Sequence, residues 1–201
     1  MKKIVLFASG NGSNVENIIQ YFKNNDSISI VGIFTNNLHA KVLDRAKKHN
    51  IFSLVFNKSE LSEGFILEKI NSIQPDLIVL AGFLLKFPEH IIKEYPNKII
   101  NIHPALLPNY GGKGMYGHFV HEAVIAAKEK ESGITIHYVD EQFDHGKPVF
   151  QVTCPVTEKD TPETLAKKIQ VLEHKHYPEV IERVIQNAGN ARPRPTGVSR
   201  M

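Results

Sequence analysis

The chain has 201 residues, 42% of them apolar, which is enough for one enzyme-sized domain with a sizeable core. Its formal net charge is +3, with 24 basic and 21 acidic residues interleaved, a balance that suits a small anionic ligand and argues against a nucleic-acid-binding stripe. The single cysteine, Cys154, excludes an internal disulfide, and the opening apolar run is too short for a signal peptide or a membrane span, so a cytoplasmic protein is expected.

Residues 4–8 form a continuous apolar run that stops at a Gly/Asn/Ser cluster, the pattern of a parallel strand buried on both faces. A helix follows, with Val15, Ile18, Ile19 and Phe22 on one side and Ser13 or Asn14 as the expected cap. Between them lies Ser9-Gly10-Asn11-Gly12-Ser13-Asn14, a turn whose free N–H groups and positive helix end favour an anion. Val15 stands where a dinucleotide fingerprint has its third glycine, and no P-loop lysine follows, so a monophosphate fits better than NAD or ATP. A tight turn that binds nothing would use the same residues.

Further apolar runs at 28–34, 52–56, 77–81 and 99–102 alternate with helical patterns near 39–49, 59–73 and 88–94. This alternation predicts a doubly wound, mostly parallel α/β sheet. Residues 134–139 and 149–152 alternate instead, and read as an antiparallel C-terminal hairpin. A long amphipathic helix is expected from 161 or 162 to 184, with Leu165, Ile169, Leu172 and Val180 inward. Residues 1–186 are read as a single domain and 187–201, rich in Pro, Gly, Asn and Arg, as a mobile tail.

Asn101-Ile102-His103-Pro104 lies at the carboxyl end of the fifth run, the edge at which open α/β sheets bind ligands. Asn101 and His103 share one side of an extended strand, so an amide donor and an imidazole face the same reacting atom. Acyl transfer to an amine needs an oxyanion donor, a proton shuttle and a group that tunes the shuttle. Asp144, in the turn Phe143-Asp144-His145-Gly146, is the candidate for the last. For an isolated His103, a strand-end histidine bonded to backbone is the plainer reading.

A resemblance changes that weighting. Asn101-Ile102-His103-Pro104-Ala105-Leu106-Leu107-Pro108 resembles the wider formyltransferase superfamily, including methionyl-tRNA formyltransferase and formyltetrahydrofolate deformylase. The 9–14 turn, Leu80-Ala81-Gly82-Phe83, the 132–137 strand and Glu173-His174 followed by Tyr177-Pro178 narrow it, and from about residue 3 to 185 the chain resembles the glycinamide ribonucleotide formyltransferase family. The resemblance implies the formyltransferase fold and Asn101, His103 and Asp144 as the catalytic set. It implies that Gly12, Ser13 and Asn14 hold the ribonucleotide phosphate, that Glu173 lies near the glycinamide amine, and that Leu84, Leu85, Lys86 and Phe87 form the folate loop. The implied partners are glycinamide ribonucleotide and, as cosubstrate, 10-formyltetrahydrofolate. No metal, nucleic acid or membrane is expected, and the chain would act as a monomer or homodimer.

The chain also departs from the family pattern. The turn after Asp144 reads His145-Gly146-Lys147-Pro148, one residue longer than usual, and Tyr110-Gly111-Gly112-Lys113-Gly114-Met115-Tyr116-Gly117 reads as a glycine-rich loop over the site. No arginine stands near 60–65 for the folate glutamate; Lys58 and Lys69 are the nearby cations. His118 and His121 are expected on the exposed start of a helix, and a zinc set of His103, His118, His121 and Asp144 matches no ligand spacing. His137 is either a site residue or an outward polar position of an alternating strand. Cys154, Phe83, Phe87 and Phe119 are expected to pack. A formyltetrahydrofolate hydrolase is the first alternative, though that enzyme usually carries an N-terminal regulatory domain and the first strand here is expected at residue 3. A phosphosugar-binding module without catalysis is the second. Methionyl-tRNA formyltransferase would need an additional RNA-binding domain.

Overall fold

The computed structural model describes residues 1–190, and the expected tail from 191 onward lies outside the described residues. Strands β1 (Lys2–Phe7), β2 (Ile28–Thr35), β3 (Ser53–Val55), β4 (Leu77–Leu80) and β5 (Ile99–His103) run parallel. Strands β6 (Glu131–Tyr138) and β7 (Pro148–Pro155) add the antiparallel hairpin. Across the seven-stranded sheet the order is β3-β2-β1-β4-β5-β6-β7. The winding reverses between β1 and β4, so their carboxyl ends open a crevice, and β5 places its own end beside it.

The helices are α1 (Ser13–Phe22), α2 (Val42–Lys48), α3 (Lys58–Ser62), α4 (Phe65–Ile73), α5 (Glu89–Glu94), α6 (His118–Ala126) and α7 (Pro162–Asn190). They cover both faces, and β1 shows why its run is continuously apolar. Ile4 and Leu6 enter the core shared with α1 and α7, whereas Val5 and Phe7 enter the opposite one. Burying each such side chain contributes roughly 1.5–3 kcal/mol. The ring of Phe7 meets Phe34, Phe83 and Phe87 at centroid distances of 5.1, 5.4 and 5.2 Å, an aromatic floor beneath the crevice.

Three local features differ from expectation. Neither Ser13 nor Asn14 caps α1: Gly12 holds that position with φ 70°, and both polar residues fall in the first turn. The helical pattern over 59–73 is broken at Glu63-Gly64 into α3, opened by an Asn57/Glu60 capping box, and α4. Helix α7 runs past 184 because Ile181, Val184 and Ile185, all buried, carry its inward stripe further. Among the described residues no helix is long and apolar enough to cross a membrane.

Candidate active site

The crevice is a cavity of about 870 Å³ lined by the ends of β4 and β5, the loops after them, the β6–β7 loop and one face of α7. Asn101 and His103 project into it from β5 and pair across the ladder with His137 and Thr135 of β6. Asp144 enters from the loop between β6 and β7, held at φ 55°, a left-handed conformation that Asp tolerates better than most residues. One carboxylate oxygen lies 3.5 Å from His103 Nδ1 and accepts the Gly112 N–H at 3.0 Å. The other lies 3.5 Å from Asn101 Nδ2 and 3.7 Å from His137 Nε2. Sequence-expected Asn101, His103 and Asp144 thus meet at one point.

Backbone carbonyls assign the tautomers of the two imidazoles. His103 Nε2 lies 2.8 Å from the Tyr110 carbonyl and therefore carries the proton, leaving Nδ1 to take or give one on the Asp144 side. His137 Nδ1 lies 2.8 Å from the Tyr138 carbonyl, so its Nε2 accepts from Asn101 Nδ2 at 3.1 Å. Burial lowers the His103 pKa; the negative charge of Asp144 and the Tyr110 bond oppose this without overcoming it. The carboxyl of Asp144 is pushed up by burial but ends below its ordinary value, through the neighbouring imidazoles of His137 and His103 and the Gly112 N–H. The site therefore holds a neutral base beside an ionised acid, and a proton arriving at Nδ1 finds a carboxylate waiting.

At the turn after β1, Asn14 donates to Glu173 at 2.9 Å, and both side chains line the cavity. Ser13 accepts from Gln170 of α7, while Gly12 packs on Val42; neither Gly12 nor Ser13 lines the cavity wall. The Glu173-His174…Tyr177-Pro178 segment docks α7 here for a physical reason. Pro178 lacks an N–H for the carbonyl of His174, and Asn17 of α1 fills that acceptor at 2.6 Å. Tyr177, fully buried, donates to the Leu80 carbonyl at the end of β4 at 2.9 Å. Burial raises the Glu173 pKa, with the Asn14 bond acting against it.

Comparison with known proteins bears on the family and the fold. The formyl transferase family matches residues 2–181. The chain belongs to that family. It is similar to the chloroplastic phosphoribosylglycinamide formyltransferase of Arabidopsis thaliana, 37% identical over 187 residues, a match covering 90% of this chain and 64% of the relative. The protein of that name from Bacillus subtilis is 38% identical over 192 residues, covering 92% of this chain and 95% of the relative. The crystal structure of phosphoribosylglycinamide formyltransferase from Bacillus halodurans superposes with a TM-score of 0.85 at 35% identity, covering 94% of this chain and 98% of that one.

Within this formyl transferase fold, Leu84, Leu85, Lys86 and Phe87 form one wall of the cavity. Leu84 is exposed, its N–H bonded to Ser9 of the first turn, whereas the Phe87 ring sits in the aromatic floor. Lys58 reaches the cavity; Lys69 lies 5.0 Å over the Phe65 ring and does not line it. His121 corrects the sequence reading. It is buried and lines the cavity, because it follows Val120 on the inward stripe of α6, while His118 stays exposed. Its Nδ1 has no partner, and burial together with the His103 and His118 charges lowers its pKa. His137 is likewise buried, so its outward reading is set aside. The signal was present in the two-residue spacing of 135 and 137, which matches that of 101 and 103 across the ladder. Phe119, expected to pack, is 42% exposed, meets Tyr116 edge-on and lies tilted against the ring of His118. Among the described residues no three His, Cys, Asp or Glu side chains converge as a metal-ligand set.

Proposed function

We propose that this chain transfers the formyl group of 10-formyltetrahydrofolate to the amine of glycinamide ribonucleotide, giving formylglycinamide ribonucleotide for purine synthesis. The chain spans 64% of the length of its Arabidopsis relative. One observation carries it: Asn101, His103 and Asp144 converge in the same cavity that the Asn14–Glu173 pair enters from the glycine turn. In this reading the N–H groups around Gly12, Ser13 and Asn14 receive the phosphate, Glu173 lies near the glycinamide amine, and the folate rests on Leu84, Leu85, Lys86 and Phe87.

The amine nitrogen forms a bond to the formyl carbon, and the carbonyl electron pair moves onto its oxygen. Asn101 re-aims its weakly held Nδ2–H, now at 3.5 Å from Asp144, to that oxyanion. His103 Nδ1 takes the amine proton as a general base, and Asp144 stabilises the resulting imidazolium. The same proton then goes to N10 of the folate as the C–N10 bond breaks and the carbonyl re-forms. His137 holds Asn101 in register throughout. Residues 1–186 act as one domain in this account, cytoplasmic, as a monomer or homodimer, and no step requires a metal.

The test mixes the protein with 10-formyltetrahydrofolate, with and without glycinamide ribonucleotide, and follows folate absorbance. Amine-dependent loss of the formyl-folate supports the transferase. Amine-independent loss would mean that water is the acceptor and the protein a hydrolase; no loss would reduce the cleft to a binding module.

A further inference from the structure

The glycine turn is held from behind by α2. The Gly10 carbonyl accepts the Val42 N–H at 3.2 Å. Arg45 Nε donates to the Asn11 carbonyl at 2.8 Å, and its Nη2 to the Asn11 side-chain oxygen at 3.2 Å. The third guanidinium nitrogen lies 3.4 Å from Glu16 in the first turn of α1. Burial would raise the Glu16 carboxyl, but bonds from His49, Gln20 and Lys48 hold it at about 2, so this anchor stays ionised at any working pH.

In a trans peptide the C=O and N–H point in opposite directions. Drawing the Gly10 and Asn11 carbonyls onto α2 therefore aims the Asn11 and Gly12 N–H groups away from it. A glycine-flanked peptide flips easily, and a flip here would turn a carbonyl dipole toward an incoming anion. We infer that Arg45 is a positioning residue for ribonucleotide binding, its fork locking the Asn11 peptide so that the turn offers N–H groups to a phosphate monoester. The inference rests on the phosphate reading of the turn given above. Arg45 itself touches neither substrate: its three nitrogens are spent on Asn11 and Glu16. Lysine keeps the charge yet cannot hold both Asn11 oxygens as a planar fork does.

The experiment measures ribose 5-phosphate affinity by calorimetry in the full chain, with steady-state kinetics alongside. Arg45→Ala should raise the Kd for ribose 5-phosphate, and the KM for glycinamide ribonucleotide, by about tenfold, the loss expected for one charge-assisted bidentate contact. The KM for formyl-folate and kcat should move less than about twofold, because Arg45 lines neither the proposed folate wall nor the cavity around Asn101, His103 and Asp144. Arg45→Lys, which keeps charge and bulk and decides the matter if the alanine variant melts early, should recover only part of the affinity. Full recovery by lysine would assign the effect to charge and overturn the strap, as would unchanged affinity or equal weakening of both ligands. If the native chain binds ribose 5-phosphate in an Arg45-dependent way but never formylates the ribonucleotide, the strap stands and the proposed activity falls.

Discussion

His103 is fixed at Nε2 by the Tyr110 carbonyl and turns Nδ1 toward Asp144, and the two contacts do different work. The carbonyl selects the tautomer; in the proposed mechanism the carboxylate stabilises the charge that forms on the ring. Replacing the imidazole removes the proposed proton shuttle, so His103→Ala should lower kcat by about a hundredfold to ten-thousandfold, and near-normal turnover would return the residue to a structural role. Asp144→Asn tests the second contact. A base works unprotonated, so kcat/KM rises as pH climbs through the His103 pKa, which burial already holds below the ordinary value against the pull of Asp144. Removing that anion lowers the pKa further. The ascending limb should move to lower pH while the plateau falls, since the imidazolium has lost its partner; an unmoved limb would show that the carboxylate does not act on His103. At this scale the sequence was informative where spacing forces proximity, as for Asn101 and His103, and where a polar residue stands in a loop, as for Asp144. It was uninformative for His121, whose place depends on which face α6 turns to the cavity, and for His137 it left two faces of β6 open that only the 135/137 spacing across the ladder decides.

Elements here are placed by close backbone approach as much as by apolar stripes. Gly133 in β6 is the clearest case, because a Cβ at that position would collide with the Val152 carbonyl of β7 and with Leu106 in the loop that follows His103. Gly133→Ala therefore has to push the hairpin off its register or the loop off its seat, and overpacking of this kind costs about 1–3 kcal/mol. For a chain of this length that should lower Tm by roughly 2–12 °C, read by calorimetry or circular dichroism, and a melting point unchanged within a degree would mean the hairpin has room that the geometry denies. The doubly wound order and the hairpin were both legible, because the switch from continuous to alternating apolar runs is a local signal. The α1 cap was not. Ser13 and Asn14 are good capping residues in isolation, but Asn14 is committed to Glu173 and Ser13 to Gln170, so long-range partners on α7 outcompeted the local preference and Gly12 took the turn. The same reasoning explains Pro178, a helix breaker by composition, which is tolerated because Asn17 of α1 satisfies the carbonyl it leaves free.

The whole molecule is organised so that one cleft gathers segments from distant parts of the chain: the turn at Asn14, the loop at Leu84–Phe87, the end of β5, the loop at Asp144 and α7 at Glu173 all line it. A ligand that bridges these segments exists only on the folded chain, since unfolding scatters every contact at once. Binding must then raise the global unfolding free energy by RT ln(1 + [L]/Kd), about 2.7 kcal/mol for a ligand present at a hundred times its Kd. At roughly 2–4 °C per kcal/mol for a chain of this size, glycinamide ribonucleotide at that excess should raise Tm by about 5–11 °C, and a non-reactive folate analogue at the same excess should do likewise. On the proposed reading the two ligands rest on different residues of the cavity, Asn14 and Glu173 for one and Leu84, Leu85, Lys86 and Phe87 for the other, so their shifts should add when both are present. Asp144→Asn should leave the ribonucleotide shift in place, because its carboxylate faces His103 and Asn101 and not the phosphate turn. A ribonucleotide that protects only when folate is already bound would instead place its binding energy at the reacting centre, and the phosphate turn would lose its part in the reading.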